Sequence, residues 1–199
     1  DNGKYFICYD VLENILYETV YNFNEDEIKN IVKELFLGIA ILHKRKIMHC
    51  DIKPENIGFD RNGYLKLFDF GISNKLDSGY RMNISSGTPN YMPPEFCISY
   101  YLEPHADWWA FGITIYKIIE NQYPFSGKKR ISRIPVALKN ENFRGFTRDI
   151  DNNLKDLIEK LLEVDSDKRL GVGNNGTEDI LKHPFFENTN IEKLYRKEK

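Results

Sequence analysis

The chain has 199 residues, room for one sizeable domain with its own core, and 41% hydrophobic with 29% charged residues excludes a disordered chain. A net charge of -2 argues against a general nucleic-acid binder, which carries a basic excess. Cys8, Cys50 and Cys97 form no Cys-x-x-Cys pair, so neither a zinc site nor a disulfide framework is indicated; a reducing, cytoplasmic setting is expected, and no apolar run is long enough for a membrane span.

Residues 4–12 are aromatic and β-branched and read as a strand. Nothing before them supplies a neighbouring strand, so they are expected to be the edge of a sheet lying upstream, and the true N-terminus is expected to precede Asp1. Asn24 to about Lys46 reads as a helix. Asn24 can cap it, Glu25, Asp26 and Glu27 suit its first turn, and Ile28, Ile31, Val32, Leu35, Phe36, Ile39 and Leu42 share one face. Lys44, Arg45 and Lys46 close it with the favourable sign.

Residues 49–56 read His-Cys-Asp-Ile-Lys-Pro-Glu-Asn, where Pro54 forbids a continuous helix. Two short strands follow, Ile57–Asp60 and Tyr64–Phe68, joined by Arg61-Asn62-Gly63, a hairpin signal. The hairpin sets Asn56 before one strand and Asp69 after the other. Residues 72–94 show no clean period, and a loop of that length is usually functional. Asp107–Glu120 is apolar nearly all round, the mark of a buried central helix. Leu154–Val164 reads as an amphipathic helix, and Thr177–His183 as a short one stopped by Pro184. No repeat or linker divides the chain, so one mainly helical domain with a small β-hairpin is expected.

The chemistry is concentrated between Asp51 and Asp69. A carboxylate at Asp51 can take a proton from an attacking hydroxyl. Lys53 carries a cation able to offset charge on a phosphoryl group in transfer. Asn56 and Asp69 offer hard oxygen donors suited to magnesium, which binds through few protein ligands plus phosphates. Phosphoryl transfer needs positioning and charge neutralisation, and this set supplies both. Alone, an Asp near a Pro or an Asp-Phe-Gly after a strand is an ordinary turn; together, with the hairpin between them, they indicate a site.

At this point the sequence resembles the eukaryotic protein kinases, specifically their large C-terminal lobe. Residues 49–56 look like the catalytic loop and Asp69-Phe70-Gly71 like the magnesium loop. Residues 87–95 look like the substrate-docking segment, with Pro93 where Ala is usual. Asp107-Trp108-Trp109-Ala110-Phe111-Gly112, residues 167–171 and His183-Pro184-Phe185-Phe186 resemble later landmarks. The Asp-Trp-Trp helix, the docking segment and the stretch from Phe185 to Leu194 point to the AGC group and, within it, the cyclic-nucleotide-dependent serine/threonine kinases.

The resemblance implies a partial kinase domain over 1–186, made of hinge strand and large lobe, with 187–199 as a C-terminal extension. It implies ATP and Mg²⁺ as cofactors and a protein as substrate. Asp51 and Lys53 would be catalytic; Asn56 and Asp69 would hold magnesium; Asp10 and Val11 would contact the nucleotide at the hinge. Glu55 and Thr88 would face the substrate. Arg169 would pair with Glu95, Asp107 would bond the catalytic-loop backbone, and His49 would pack under Phe70. The small N-terminal lobe, with its Gly-rich loop and strand Lys, is expected to be missing and to be a required partner. A truncated kinase acting as a non-catalytic scaffold, and a kinase-like small-molecule phosphotransferase, are the rival readings.

Three departures stand out. Cys50 replaces the Arg that anchors an activation-loop phosphate, and Ile84 stands where AGC kinases often carry the phosphothreonine; the loop is therefore expected not to be switched in the usual way, with Ser85 and Ser86 as remaining sites. Lys117 and Ile15 occupy positions where close relatives use Glu, which weakens an expected preference for basic substrates. Gly58 replaces a bulky residue under the adenine and is expected to leave a roomier pocket. Gly171-Val172-Gly173-Asn174-Asn175-Gly176 matches G-x-G-x-x-G but follows a helix, and is expected to be a plain surface loop.

Overall fold

The structure, a computed structural model, describes residues 12–16, 23–75, 82–83, 87–96, 101–125, 143–173 and 175–196, with 82–83 and 101–102 by backbone alone. The expected strand over residues 4–12 lies outside them, except Leu12, which is not in a strand.

Two helices carry the core. α1 spans Glu25–Lys44. The Asn24 side chain accepts from Glu27 N while the Glu27 carboxylate accepts from Asn24 N, a reciprocal cap that satisfies two otherwise orphan donors. The helix closes where Lys46 adopts φ 58° and its N–H reaches back to His43 O at 2.9 Å. Ile28, Ile31, Val32, Leu35, Phe36 and Ile39 are buried on the face their spacing predicts.

α2 spans His105–Glu120, two residues earlier than the sequence suggests. Pro104 sits at its start, where the amide that proline lacks has no helical partner. Its residues from His105 to Tyr116, with Ile118 and Ile119, are all buried. Phe36 stacks on Trp108 with centroids 5.5 Å apart and packs on Phe186 at 4.6 Å, so α1, α2 and the C-terminal turn share one aromatic centre. α3 runs Asn152–Leu161 rather than Leu154–Val164, because the Asp151 carboxylate accepts from Leu154 N at 3.0 Å and caps the helix earlier. Two six-residue helices follow, α4 (Gly176–Leu181) and α5 (Ile191–Arg196), separated by a 3₁₀ turn at Pro184–Phe186.

The strands are short. β1 (Asn14–Ile15) pairs antiparallel with β3 (Ile57–Phe59), which pairs with β4 (Leu65–Leu67), so the expected hairpin is part of a three-stranded sheet. Its turn is not a two-residue Asn-Gly turn. Gly63 alone there has positive φ (78°), and Asp60 Oδ1 accepts from Asn62 N and Tyr64 N. The region expected to be loop also contributes strands. β2 (Ile47–Met48) pairs with β5 (Asn74–Lys75), and β6 (Met82–Asn83) with β7 (Tyr101–Leu102).

The G-x-G-x-x-G stretch is the expected surface loop in its middle, where Gly173 and Asn175 are exposed, and differs from that expectation at its ends. Gly171 and Gly176 are buried, and Gly171 has φ 93°. A Cβ on Gly171 would meet Ile180 at 2.9 Å and Trp108 at 3.0 Å; one on Gly176 would collide with Gly171 O. These glycines let the chain close over the core.

Candidate active site

Met48 leaves β2 buried, and the chain then turns through Cys50 at φ 69°. A non-glycine residue with that backbone needs its surroundings to hold it. Asp107 does so. Its carboxylate accepts from His49 N and Cys50 N, each at 2.9 Å, and from His43 Nε2 at 2.9 Å. Burial opposes ionisation of Asp107, but these donors outweigh it and hold the carboxyl below its usual range. His49 is fully buried; its Nε2 donates to Phe68 O at 3.0 Å, its Nδ1 accepts from Asp51 N at 3.3 Å, and its ring lies 4.9 Å from that of Phe70. Burial pushes the imidazole below its usual range, which suits a ring that accepts at one nitrogen.

Asp51 therefore emerges from a fixed loop. Lys53 Nζ donates to Asp51 Oδ2 at 2.6 Å, Thr88 Oγ donates to Asp51 Oδ1 at 2.7 Å, and Asn56 Nδ2 donates to Asp51 Oδ2 at 2.9 Å and to Asp51 O at 2.8 Å. Lys53 also donates to Thr88 Oγ at 2.8 Å. Burial works against the Asp51 charge, yet Lys53, Thr88 and Asn56 together hold the carboxyl below its usual range. A carboxylate of this kind is ionised at neutral pH and has the chemistry to accept a proton. Cys50 differs: burial and the nearby Asp107 push its thiol far up, so it stays a neutral group packed near Met48 and Ala106.

The hairpin sets the other half. Phe68 N donates to Asn56 O at 3.0 Å, so Asn56 lies opposite the residue just before Asp69. Asp69 is exposed, at φ 59°, and its Oδ1 accepts from Gly71 N at 3.3 Å. Asn56 spends its amide nitrogen on Asp51, which leaves its carbonyl oxygen as the atom suited to a cation. That oxygen and the Asp69 carboxylate are both hard oxygen donors, the donor chemistry magnesium favours. Among the described residues no cluster of three or more His, Cys, Asp or Glu could hold a metal, and His43 and His49 are engaged as above.

Thr88 is the second residue of the expected docking segment and Glu95 its last. Arg169 meets Glu95 in a bidentate pair, Nη1 to Oε1 at 2.7 Å and Nη2 to Oε2 at 2.9 Å, with its guanidinium 4.6 Å from the Trp109 ring centroid. Burial opposes the Glu95 charge, but His105 and Arg169 hold its carboxyl down to about 2. Glu55 Oε2 is buried without a hydrogen-bond partner among the described residues. Tyr91 meets Tyr123 edge-on at 5.8 Å, and Lys117 Nζ lies 4.8 Å from the Tyr123 ring centroid.

The expected room at Gly58 is not there. A Cβ on Gly58 would meet Asn14 O at 2.9 Å and Leu12 Cδ1 at 3.0 Å, because β1 lies close against β3. Asp10, Val11, Ile84, Ser85 and Ser86 lie outside the described residues. Two contacts were not foreseen from sequence, His43 on Asp107 and His105 on Glu95. Neither pair has a sequence spacing that announces it: His43 and Asp107 are 64 residues apart, and the ten-residue separation of Glu95 and His105 fits no helical contact spacing.

A protein kinase domain family model matches residues 1–186. The chain is 35% identical over 177 residues to ribosomal protein S6 kinase 2 beta of Xenopus laevis, covering 88% of this chain and 28% of that protein. It is 34% identical over 197 residues to cAMP-dependent protein kinase catalytic subunit 2 of Drosophila melanogaster, covering 90% and 53%. It is also 34% identical over 176 residues to serine/threonine-protein kinase AtPK2/AtPK19 of Arabidopsis thaliana, covering 88% and 37%. The chain thus spans from about a quarter to about half the length of these relatives, and the resemblance to cyclic-nucleotide-dependent kinases is matched by that to S6 kinases. No helix among the described residues is long and apolar enough to cross a membrane. The match runs from the sheet through the Asp51 loop to the final 3₁₀ turn, and by it the chain belongs to the protein kinase family, within its AGC group.

Proposed function

We propose that the protein carrying this chain is a serine/threonine protein kinase that moves the γ-phosphate of Mg-ATP to a protein hydroxyl. The observation that carries the reading is the mutual bonding of Asp51, Lys53 and Thr88 on a loop fixed from behind by Asp107. Asp51 orients the acceptor hydroxyl and receives its proton. Lys53 Nζ, already on Asp51 and Thr88, stands beside the acceptor and offsets charge on the transferring group. Asn56 and Asp69 are the residues that would hold magnesium, which when bound neutralises charge on the nucleotide phosphates. Thr88, in hydrogen-bond reach of both Asp51 and Lys53, suits a compact Ser or Thr acceptor.

The chain is the large lobe with the hinge, residues 1–186, and 187–199 form an extension. Glycine-rich loop, strand Lys and the rest of the nucleotide site belong to a small lobe with which it works, and Asp10 and Val11 are the hinge contacts to the nucleotide. Glu55 Oε2, buried without a partner among the described residues, is suited to accept a hydrogen bond from a substrate donor. A cytoplasmic setting fits this reading. The test is transfer of labelled γ-phosphate by the full-length natural protein to a mixture of Ser, Thr and Tyr peptides. Label on Ser or Thr, lost in Asp51→Asn, supports the reading; label that persists in Asp51→Asn, or no label from the unaltered protein, overturns it.

A further inference from the structure

The first turn of α2 reaches two sides of the site. Asp107 grips the amides of His49 and Cys50, which set Asp51. His105, two residues earlier and 8% exposed, points Nε2 at Glu95 Oε1 (3.0 Å) and Nδ1 at Glu103 Oε2 (3.6 Å). Glu95 ends the docking segment, and Thr88, near its other end, bonds Asp51 and Lys53. Between those ends lie Pro89, Pro93 and Pro94, each with a fixed φ, and a 3₁₀ turn at Pro89–Tyr91. The segment is therefore stiff, and a displacement at Glu95 is carried toward Thr88.

Arg169 and His105 hold Glu95 to different parts of the molecule. Arg169 is itself bonded to Glu163 O at 2.7 Å and to Val164 O at 3.3 Å, so it ties Glu95 to the chain after α3. His105 ties Glu95 to α2, on the turn that carries Asp107. The geometry assigns His105 a positioning role, coupling the docking segment to the Asp51 loop through the first turn of α2. This role rests on the kinase reading, and His105 itself touches no reacting atom.

A purely structural histidine would lower the melting temperature and leave substrate selectivity of the kinetics alone. A positioning histidine raises the KM for peptide and spares the KM for ATP, whose contacts lie elsewhere. The test uses the full-length natural protein, Mg-ATP and a serine peptide that the protein phosphorylates. His105→Ala is expected to raise peptide KM roughly tenfold, the weight of one hydrogen bond to a charged group. ATP KM should stay within about twofold. His105→Gln, whose amide can still donate to Glu95, should restore most of the loss. Glu103→Gln, which removes the charge facing Nδ1, should raise peptide KM about threefold, as expected for a half-exposed ion pair. If His105→Ala does not fold, the Gln variants carry the test alone. Unchanged peptide KM, a parallel rise in both KM values, or no recovery with Gln overturns the role. Absence of transfer by the unaltered protein overturns the kinase reading and this role with it, whereas transfer with silent variants overturns this role alone.

Discussion

Asp51 and Asp69, which the proposed function places in one site, are held differently. Asp51 is largely buried and bonded by Lys53, Thr88 and Asn56. Asp69 is exposed at the outer end of the hairpin, with its backbone at positive φ and the Gly71 amide on its carboxylate. Phe70 beside it is 43% exposed. The difference follows from chemistry. A group that must aim at one hydroxyl is best fixed before the substrate arrives, since pre-organisation lowers the cost of reaching the reactive geometry. A group that meets a hydrated cation needs open access to it, because magnesium sheds water reluctantly.

The largest expected effect is on the fixed side. Asp51→Asn should lower turnover of the full-length protein about a hundred- to ten-thousand-fold in a phosphate-transfer assay. Next comes the support behind it. Arg169→Ala leaves Glu95 without its bidentate partner, and urea unfolding should record a loss of about 3–5 kcal/mol. The same pair predicts an acid dependence. The Glu95 carboxyl is held at about 2 against an ordinary 4.5. Its contribution to stability is complete above the ordinary value and is lost as pH falls from there through about 2. Unfolding midpoints measured from pH 7 downward should therefore drop below pH 4.5 in the parent, and less steeply in Arg169→Ala; parallel curves would remove Glu95 from the account. The smallest effect is at the edge of the site. Gly58→Ala places a Cβ against Asn14 O, and calorimetry should show a loss of about 1–3 kcal/mol, with β1 displaced from β3.

The helices were legible because their signals are local. The α1 face follows from apolar spacing, and its start from Asn24 and Glu27, three residues apart. The Asp51 loop and the Asp69 turn were legible because proline, hairpin and polar residues are packed into a short run. What stayed hidden was set by partners far along the chain. β2 and β5 are two residues each, too short to show alternation, and exist through pairing of Ile47 with Lys75 and Met48 with Asn74. Gly58 looked like a vacancy because a sequence cannot show that Leu12 and the Asn14 carbonyl fill the space. The bond from His105 to Glu95 depends on how α2 docks on the segment beside it.

The most direct measurement is melting and Mg²⁺-dependent transfer in Asp69→Asn beside Asp51→Asn, both in the full-length protein. Because its side chain is exposed, Asp69→Asn should melt within about 0.5 kcal/mol of the parent while its transfer collapses and its requirement for Mg²⁺ rises. Asp51→Asn, which loosens Lys53 and Thr88, should lose about 1–3 kcal/mol as well as turnover. Equal destabilisation of the two variants, or undiminished transfer by Asp69→Asn, would contradict the division between a fixed and an open half.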